Sequence, residues 1–213
     1  MPSIEIAGDD LLSVAAADVQ TAQAIAARLR ETGAWLEVVP GIDSVVVQFD
    51  ALTRDSNEAI RDLGRLLEGG VADIEFPDTL VEISVVYGGE FGPDLAGVCE
   101  VLGITPDEFI GMHTSKQYRV ELVGFTPGFV YVGGLDERLH IARRNEPRQH
   151  VPAGSVGIAD GRTGLYALQS PGGWQIVGRT MQTLFDPAGD DPFPLRAGMR
   201  VKFLAIDAPE AGR

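Results

Sequence analysis

The chain has 213 residues, 45% hydrophobic and 23% charged, with a formal net charge of −14. That length supports one large or two small domains with a real core, and the acidic balance argues against nucleic acid or an anionic membrane as partner. No apolar run approaches the roughly 20 residues of a membrane span, the start Met1-Pro2-Ser3-Ile4-Glu5 shows no export signal, and a lone cysteine, Cys99, excludes a disulfide framework and points to the cytosol.

Ile4-Glu5-Ile6 reads as a short strand, and Leu11-Leu12-Ser13-Val14 returns beside it after a turn at Gly8-Asp9. Asp18 is placed to cap a helix through Arg30, with Val19, Ala22, Ile25, Ala26 and Leu29 as its buried stripe and Gly33 beyond its end. Trp35–Val39 and Ser44–Phe49 make a hairpin around Pro40-Gly41. Ser56 or Asn57 is expected to cap a second helix carrying Ile60, Leu63, Leu66 and Leu67, and Val81–Tyr87 is a further strand. This order describes a small α+β unit. Its only basic residues are five arginines, whereas both lysines and Arg138, Arg143, Arg144 and Arg148 come later, a shift that sets a boundary near residues 85–90.

The second part opens at Gly88-Gly89. Asp94 is expected to cap a short helix through Leu102, whose apolar setting makes Cys99 a buried structural thiol rather than a nucleophile. Thr105-Pro106-Asp107-Glu108 is a strong helix start, and that helix delivers His113. The imidazole is either a general acid/base or a side chain that simply satisfies the helix C-terminus. Tyr118–Val123 then alternates as a strand into Gly124-Phe125-Thr126-Pro127-Gly128-Phe129-Val130-Tyr131, where glycine and proline shape a turn and the large aromatics either pack in the core or line a pocket. Asp136–His150 is polar and basic. Its arginines form either an anion site, for which a planar guanidinium suits carboxylate or phosphate, or a loop paired with the chain's own carboxylates.

Short strands follow at Val156–Ile158, Gly164–Leu168, Gln175–Gly178 and Met199–Ile206, separated by glycine- and proline-rich turns, which indicates a β-barrel or sandwich. There is no P-loop and no dinucleotide fingerprint, and three histidines without cysteine or His-x-x-x-His spacing make no zinc site. Gly154-Ser155-Val156-Gly157 lacks the spacing of a nucleophile elbow; a backbone anion nest in that loop is the better reading of Ser155.

The ordered motifs Gly92-Pro93-Asp94-Leu95, His113, Gly124-Phe125-x-Pro127-Gly128-Phe129-x-Tyr131, Arg143-Arg144, Pro147-Arg148, Pro152-Ala153-Gly154-Ser155-Val156 and Ser170-Pro171-Gly172-Gly173-Trp174 with Gly178-Arg179-Thr180 closely resemble the KipI-type family, also called allophanate hydrolase subunit 1, which includes the B subunit of the prokaryotic ATP-dependent 5-oxoprolinase. The resemblance implies an α+β domain over 1–87 and a mainly-β, cyclophilin-like barrel domain over 88–213. It implies a KipA-like partner (allophanate hydrolase subunit 2, the C subunit of the 5-oxoprolinase) and a LamB/YcsF-type protein as the A subunit. Together they open 5-oxoproline to glutamate, with ATP and Mg held by or shared with a partner. This chain is then inactive alone. The alternatives it implies are a carboxyltransferase-like half-module acting on urea- or allophanate-type amides and a non-enzymatic histidine-kinase inhibitor. Carried onto the matching positions, it makes His113 the catalytic group. The substrate-binding residues are then Phe125, Thr126, Phe129, Tyr131, Arg143, Arg144, Arg148, Ser155, Ser170, Trp174 and Arg179, with no metal ligand.

Overall fold

The computed structural model describes residues 2–71, 76 and 78–208, and the chain divides into two compact units, Met1–Glu75 and Phe76–Arg213. Among the described residues no helix is long and apolar enough to cross a membrane.

In the first unit β1 (Ile4–Ile6), β2 (Leu11–Ala15), β3 (Glu37–Pro40) and β4 (Ser44–Gln48) form an antiparallel sheet in the order β1-β2-β4-β3. Alternation buries Leu12, Val14, Val45 and Val47 on one face. Against them pack Ala22, Ile25, Ala26 and Leu29 of α1 (Val19–Glu31), with Leu63 and Leu67 of α2 (Ser56–Leu67). Asp18 caps α1 by accepting from the Thr21 amide. The cap of α2 is Asp55 rather than Ser56 or Asn57: its carboxylate takes the Glu58 amide while Glu58 reaches back to the Asp55 amide, satisfying two free donors at once.

The second unit is a closed barrel of seven strands in the order β10-β7-β6-β13-β5-β12-β9. These are β5 (Leu80–Tyr87), β6 (Gln117–Val123), β7 (Val130–Gly133), β9 (Ser155–Ala159), β10 (Arg162–Leu165), β12 (Gln175–Arg179) and β13 (Arg200–Ala205). The boundary expected after Tyr87 therefore lies earlier. Residues 80–87 belong to the barrel, because Ile83 and Val85 face its interior and β5 pairs in parallel with β13 from Leu80 to Val85. Two further strands, β8 (Arg148–Val151) and β11 (Ser170–Gly172), form a separate ribbon where the sequence reads as polar loop and turn.

Helices α3 (Leu95–Leu102) and α4 (Pro106–Thr114) precede β6. Thr105 and Glu108 form the expected capping box on α4. The interior holds Ile83, Val85, Tyr118, Val120, Val130, Val132, Val156, Ile158, Leu165, Val201 and Phe203, all at most 4% exposed. Each such side chain contributes about 1.5–3 kcal/mol on burial, so the barrel is a packed core and not a pore. Cys99 is buried within the same core, and that burial pushes its thiol pKa up, which keeps it in the inert form.

Candidate functional site on the outer face of the barrel

Residues paired directly across neighbouring strands share a face of the sheet. Val156 points into the barrel, so Ser155, its neighbour on β9, points out. Ser155 pairs with Arg179 of β12, and Arg179 pairs with Val86 of β5. On the other side of Ser155 the Tyr166 amide donates to its carbonyl at 2.9 Å. Tyr166, Ser155, Arg179 and Val86 thus stand in a row across four segments of the outer wall. The Ser155 hydroxyl is fully buried with no hydrogen-bond partner, and so is the Arg179 Nε. Among the described residues Arg179 enters no ion pair; its guanidinium carbon lies 5.7 Å over the Phe91 ring. Phe91 and Val86 line a cavity of about 820 Å³ that also includes Tyr87, Gly88, Gly89, Ile110 and the end of β13.

Beside this row lies an aromatic cluster centred on Phe129. Its ring is 4.8 Å from Tyr131, 4.9 Å from Tyr166, 5.9 Å from Trp174 and 5.6 Å from Phe125, in edge-on contacts, the arrangement favoured by the ring quadrupole. Two glycines make the floor. A Cβ on Gly164 would lie 2.9 Å from Phe129 and 3.1 Å from Trp174, and one on Gly157 would lie 2.9 Å from the Trp174 Cβ. Burial raises the phenol pKa of Tyr131, and raises that of Tyr166 to about 12, so both are neutral hydroxyls. The Arg143 guanidinium carbon sits 5.8 Å over Trp174 while its Nε bonds Asp160 at 2.8 Å. The six aromatic and basic positions Phe125, Phe129, Tyr131, Tyr166, Trp174 and Arg143 therefore share one surface, and Tyr166 joins it to Ser155 and Arg179.

The loop leading into β7 is unusual. Phe125 adopts a φ of +81° and is 66% exposed, a backbone region that costs a bulky L residue appreciable strain. The adjacent Thr126 hydroxyl is buried without a partner. Ser170 lies on the ribbon opposite Val151, with its hydroxyl likewise buried and unpartnered.

Arg144 and Arg148 do something other than wait for an anion. Arg148 makes two bonds of 2.7 Å to the Asp94 carboxylate and Arg144 one of 3.1 Å, while the Ile176 amide donates to the same carboxylate at 2.6 Å. Asp94 makes no capping bond to α3. Its side chain instead ties the start of that helix to β12 and to the basic segment that follows β7. Of the two readings open for the basic stretch, pairing with the chain's own carboxylates is the one observed for these residues. Asp94 is the residue that sequence reasoning under-read: its place before an apolar run suggests a cap, and the partners it actually takes lie 50–82 positions away.

His113 is on the far side of the wall. It is fully buried inside the barrel, stacked on Phe203 at 4.5 Å. Its Nδ1 lies 2.6 Å from the Tyr87 hydroxyl and its Nε2 2.9 Å from the Thr163 hydroxyl. Desolvation lowers its pKa to about 3. The ring has no open edge for a substrate, so a direct acid/base role is not available to it in this arrangement. Nor does its ring satisfy the helix end: the His113 carbonyl takes the Tyr118 hydroxyl instead.

Residues 2–195 match the family model described as "Carboxyltransferase domain, subdomain C and D". The chain is 44% identical over 180 residues to the 5-oxoprolinase B subunit of Escherichia coli O157:H7, covering 84% of this chain and 82% of that one. It is 40% identical over 182 residues to the 5-oxoprolinase B subunit of Bacillus subtilis (strain 168), covering 81% and 76%. Among solved structures, TTHA0988 superposes with a TM-score of 0.78 at 31% identity, over 93% of this chain but 40% of that one, so this chain spans well under half of its length. The Kluyveromyces lactis urea amidolyase shares the fold at TM-score 0.81 and 18% identity, over 97% of this chain and 15% of that one.

Proposed function

Because the chain belongs to the carboxyltransferase subdomain C and D family, among the 5-oxoprolinase B subunits, we propose that it works in that capacity in an ATP-dependent conversion of 5-oxo-L-proline and water to L-glutamate. In this reading the barrel is of the cyclophilin type, the companions are a KipA-like C subunit and a LamB/YcsF-type A subunit, and the chain turns over no substrate alone.

One observation carries the assignment of a site: Arg179, without an ion pair among the described residues, stands beside the unpartnered Ser155 hydroxyl and next to the Phe91-lined cavity. 5-Oxoproline presents a carboxylate and a lactam carbonyl. The Arg179 fork suits the carboxylate, and the Ser155 O–H, once given an acceptor, would polarise the lactam oxygen. The aromatic cluster beside them keeps the surroundings apolar, which strengthens both interactions. Arg144 and Arg148 act here by holding the ribbon and not the substrate, and His113 positions Tyr87 from within. In this reading ATP and Mg are held by, or shared with, a partner subunit.

The test is Arg179→Gln in the three-subunit mixture. A charge-assisted bond of about 1.5–3 kcal/mol predicts a KM for 5-oxoproline raised roughly 10- to 150-fold. Any residual ring opening of pyrrolidin-2-one, which lacks the carboxylate, should be insensitive to the change. An unaltered KM, or equal loss with both lactams, contradicts the assignment.

A further inference from the structure

One end of the barrel carries a second feature, distinct from the row on its wall. Strands β6, β10 and β12 end there while β7 and β13 begin there, as their antiparallel registers require. The loops they leave are packed on one another. The position of a Cβ on Gly128 falls 2.6 Å from the Phe185 Cβ and 2.9 Å from the Ala167 Cβ, and the Phe185 and Phe193 rings are 5.0 Å apart. On the loops at this end Phe125, Met181, Phe193 and Leu168 are exposed by 66, 55, 40 and 38%. A group of large apolar side chains on the loops of one barrel end marks an interaction surface more than it does scattered exposure. Exposed carboxylates at Asp186 and Asp190 border it, while Asp191 pairs with Arg196 at 2.7 Å.

We propose that this end docks the companion protein of the complex, through an apolar centre and a basic rim on that companion. The inference rests on the functional reading above and adds where the partner sits. Three observations support it. The rim is acidic on a chain of net charge −14, so a second copy of this chain would meet like charge, whereas a basic-rimmed partner would not. In TTHA0988 the matched fold is 40% of a longer chain, so there it is joined to further polypeptide. Finally, Phe125 holds a strained left-handed backbone and stays 66% exposed although one edge meets Phe129, a conformation an interface anchor would exploit.

The experiment measures binding of the purified KipA-like protein to the full chain by calorimetry and sedimentation. Phe125→Asn removes the ring yet suits φ > 0 better than Phe, so the isolated variant should melt at or above the parent temperature while its affinity falls at least 30-fold. Met181→Asp should weaken binding by a similar factor, and Val101→Asp, on α3 and 73% exposed, should not. Undiminished binding by Phe125→Asn and Met181→Asp, or equal weakening by Val101→Asp, overturns the docking face. Self-association of the wild-type chain that Phe125→Asn abolishes overturns the companion as its occupant. If no complex forms yet the mixture still releases glutamate, the docking face fails and the functional reading stands; if neither occurs, both fail.

Discussion

Asp94→Ala gives the sharpest test of how the outer face is held. The wild-type carboxylate is only 9% exposed and accepts four bonds: two from Arg148, one from Arg144 and one from the Ile176 amide. Truncation leaves two guanidinium groups and a backbone donor without their acceptor. Removing one member of a buried ion pair costs about 3–5 kcal/mol. Solvent reaches a quarter of Arg148 and a third of Arg144, so part of that cost is recovered by hydration, and we expect a loss of about 2–3 kcal/mol. At about 2–4 °C per kcal/mol for a chain of this size, the melting temperature of the barrel unit should fall by about 4–12 °C. Differential scanning calorimetry reads this directly. Adding Arg148→Met removes the stranded charge, so the double variant should lose at least about 1 kcal/mol less than the two single losses combined. A single-variant loss under about 0.5 kcal/mol, or strictly additive losses, would refute the claim that Asp94 is the anchor.

Two further expectations follow from the same geometry. His113 binds no proton in the folded protein until about pH 3, whereas the unfolded chain protonates it near pH 6.5. The unfolded state thus holds the extra proton between those values, and stability should fall as pH drops below about 6.5, by up to about 1.4 kcal/mol per pH unit. His113→Gln should flatten that slope in acid unfolding titrations; an unchanged slope would place the proton elsewhere. Gly164→Ala would drive a Cβ into Phe129 and Trp174, so it should cost about 1–3 kcal/mol and shift Trp174 fluorescence, and a neutral result would show that the aromatic cluster yields easily.

Much of this molecule is legible along the chain, and where it is not the reasons are physical. Alternating Val/Ile runs locate the barrel strands, and Thr105 to Glu108 announces α4, because these signals are local. The sequence boundary failed at β5 because an alternating strand looks the same whether its partner is the strand before it or β13, far along the chain. The ribbon of β8 and β11 is hidden by its length, three or four residues each, and by Pro171 and Gly172 within it. The candidate site divides in the same way. The glycines and aromatics that the sequence singles out are gathered on one wall, with Gly157 and Gly164 under Phe129 and Trp174. Charge alone could not tell Arg179, without an ion pair among the described residues, from Arg144 and Arg148, already engaged, since that depends on Asp94 arriving from 50 residues away. His113 misleads for the opposite reason: polarity suggests a surface role, but two hydroxyls inside the barrel satisfy it.

The most direct measurement of the central claim is ATP-dependent glutamate release from 5-oxoproline by this chain mixed with the KipA-like and LamB/YcsF-type proteins, with each component omitted in turn. The account predicts turnover only in the full mixture, none from this chain alone, and loss when it alone is left out. Release that continues at full rate without this chain would contradict it.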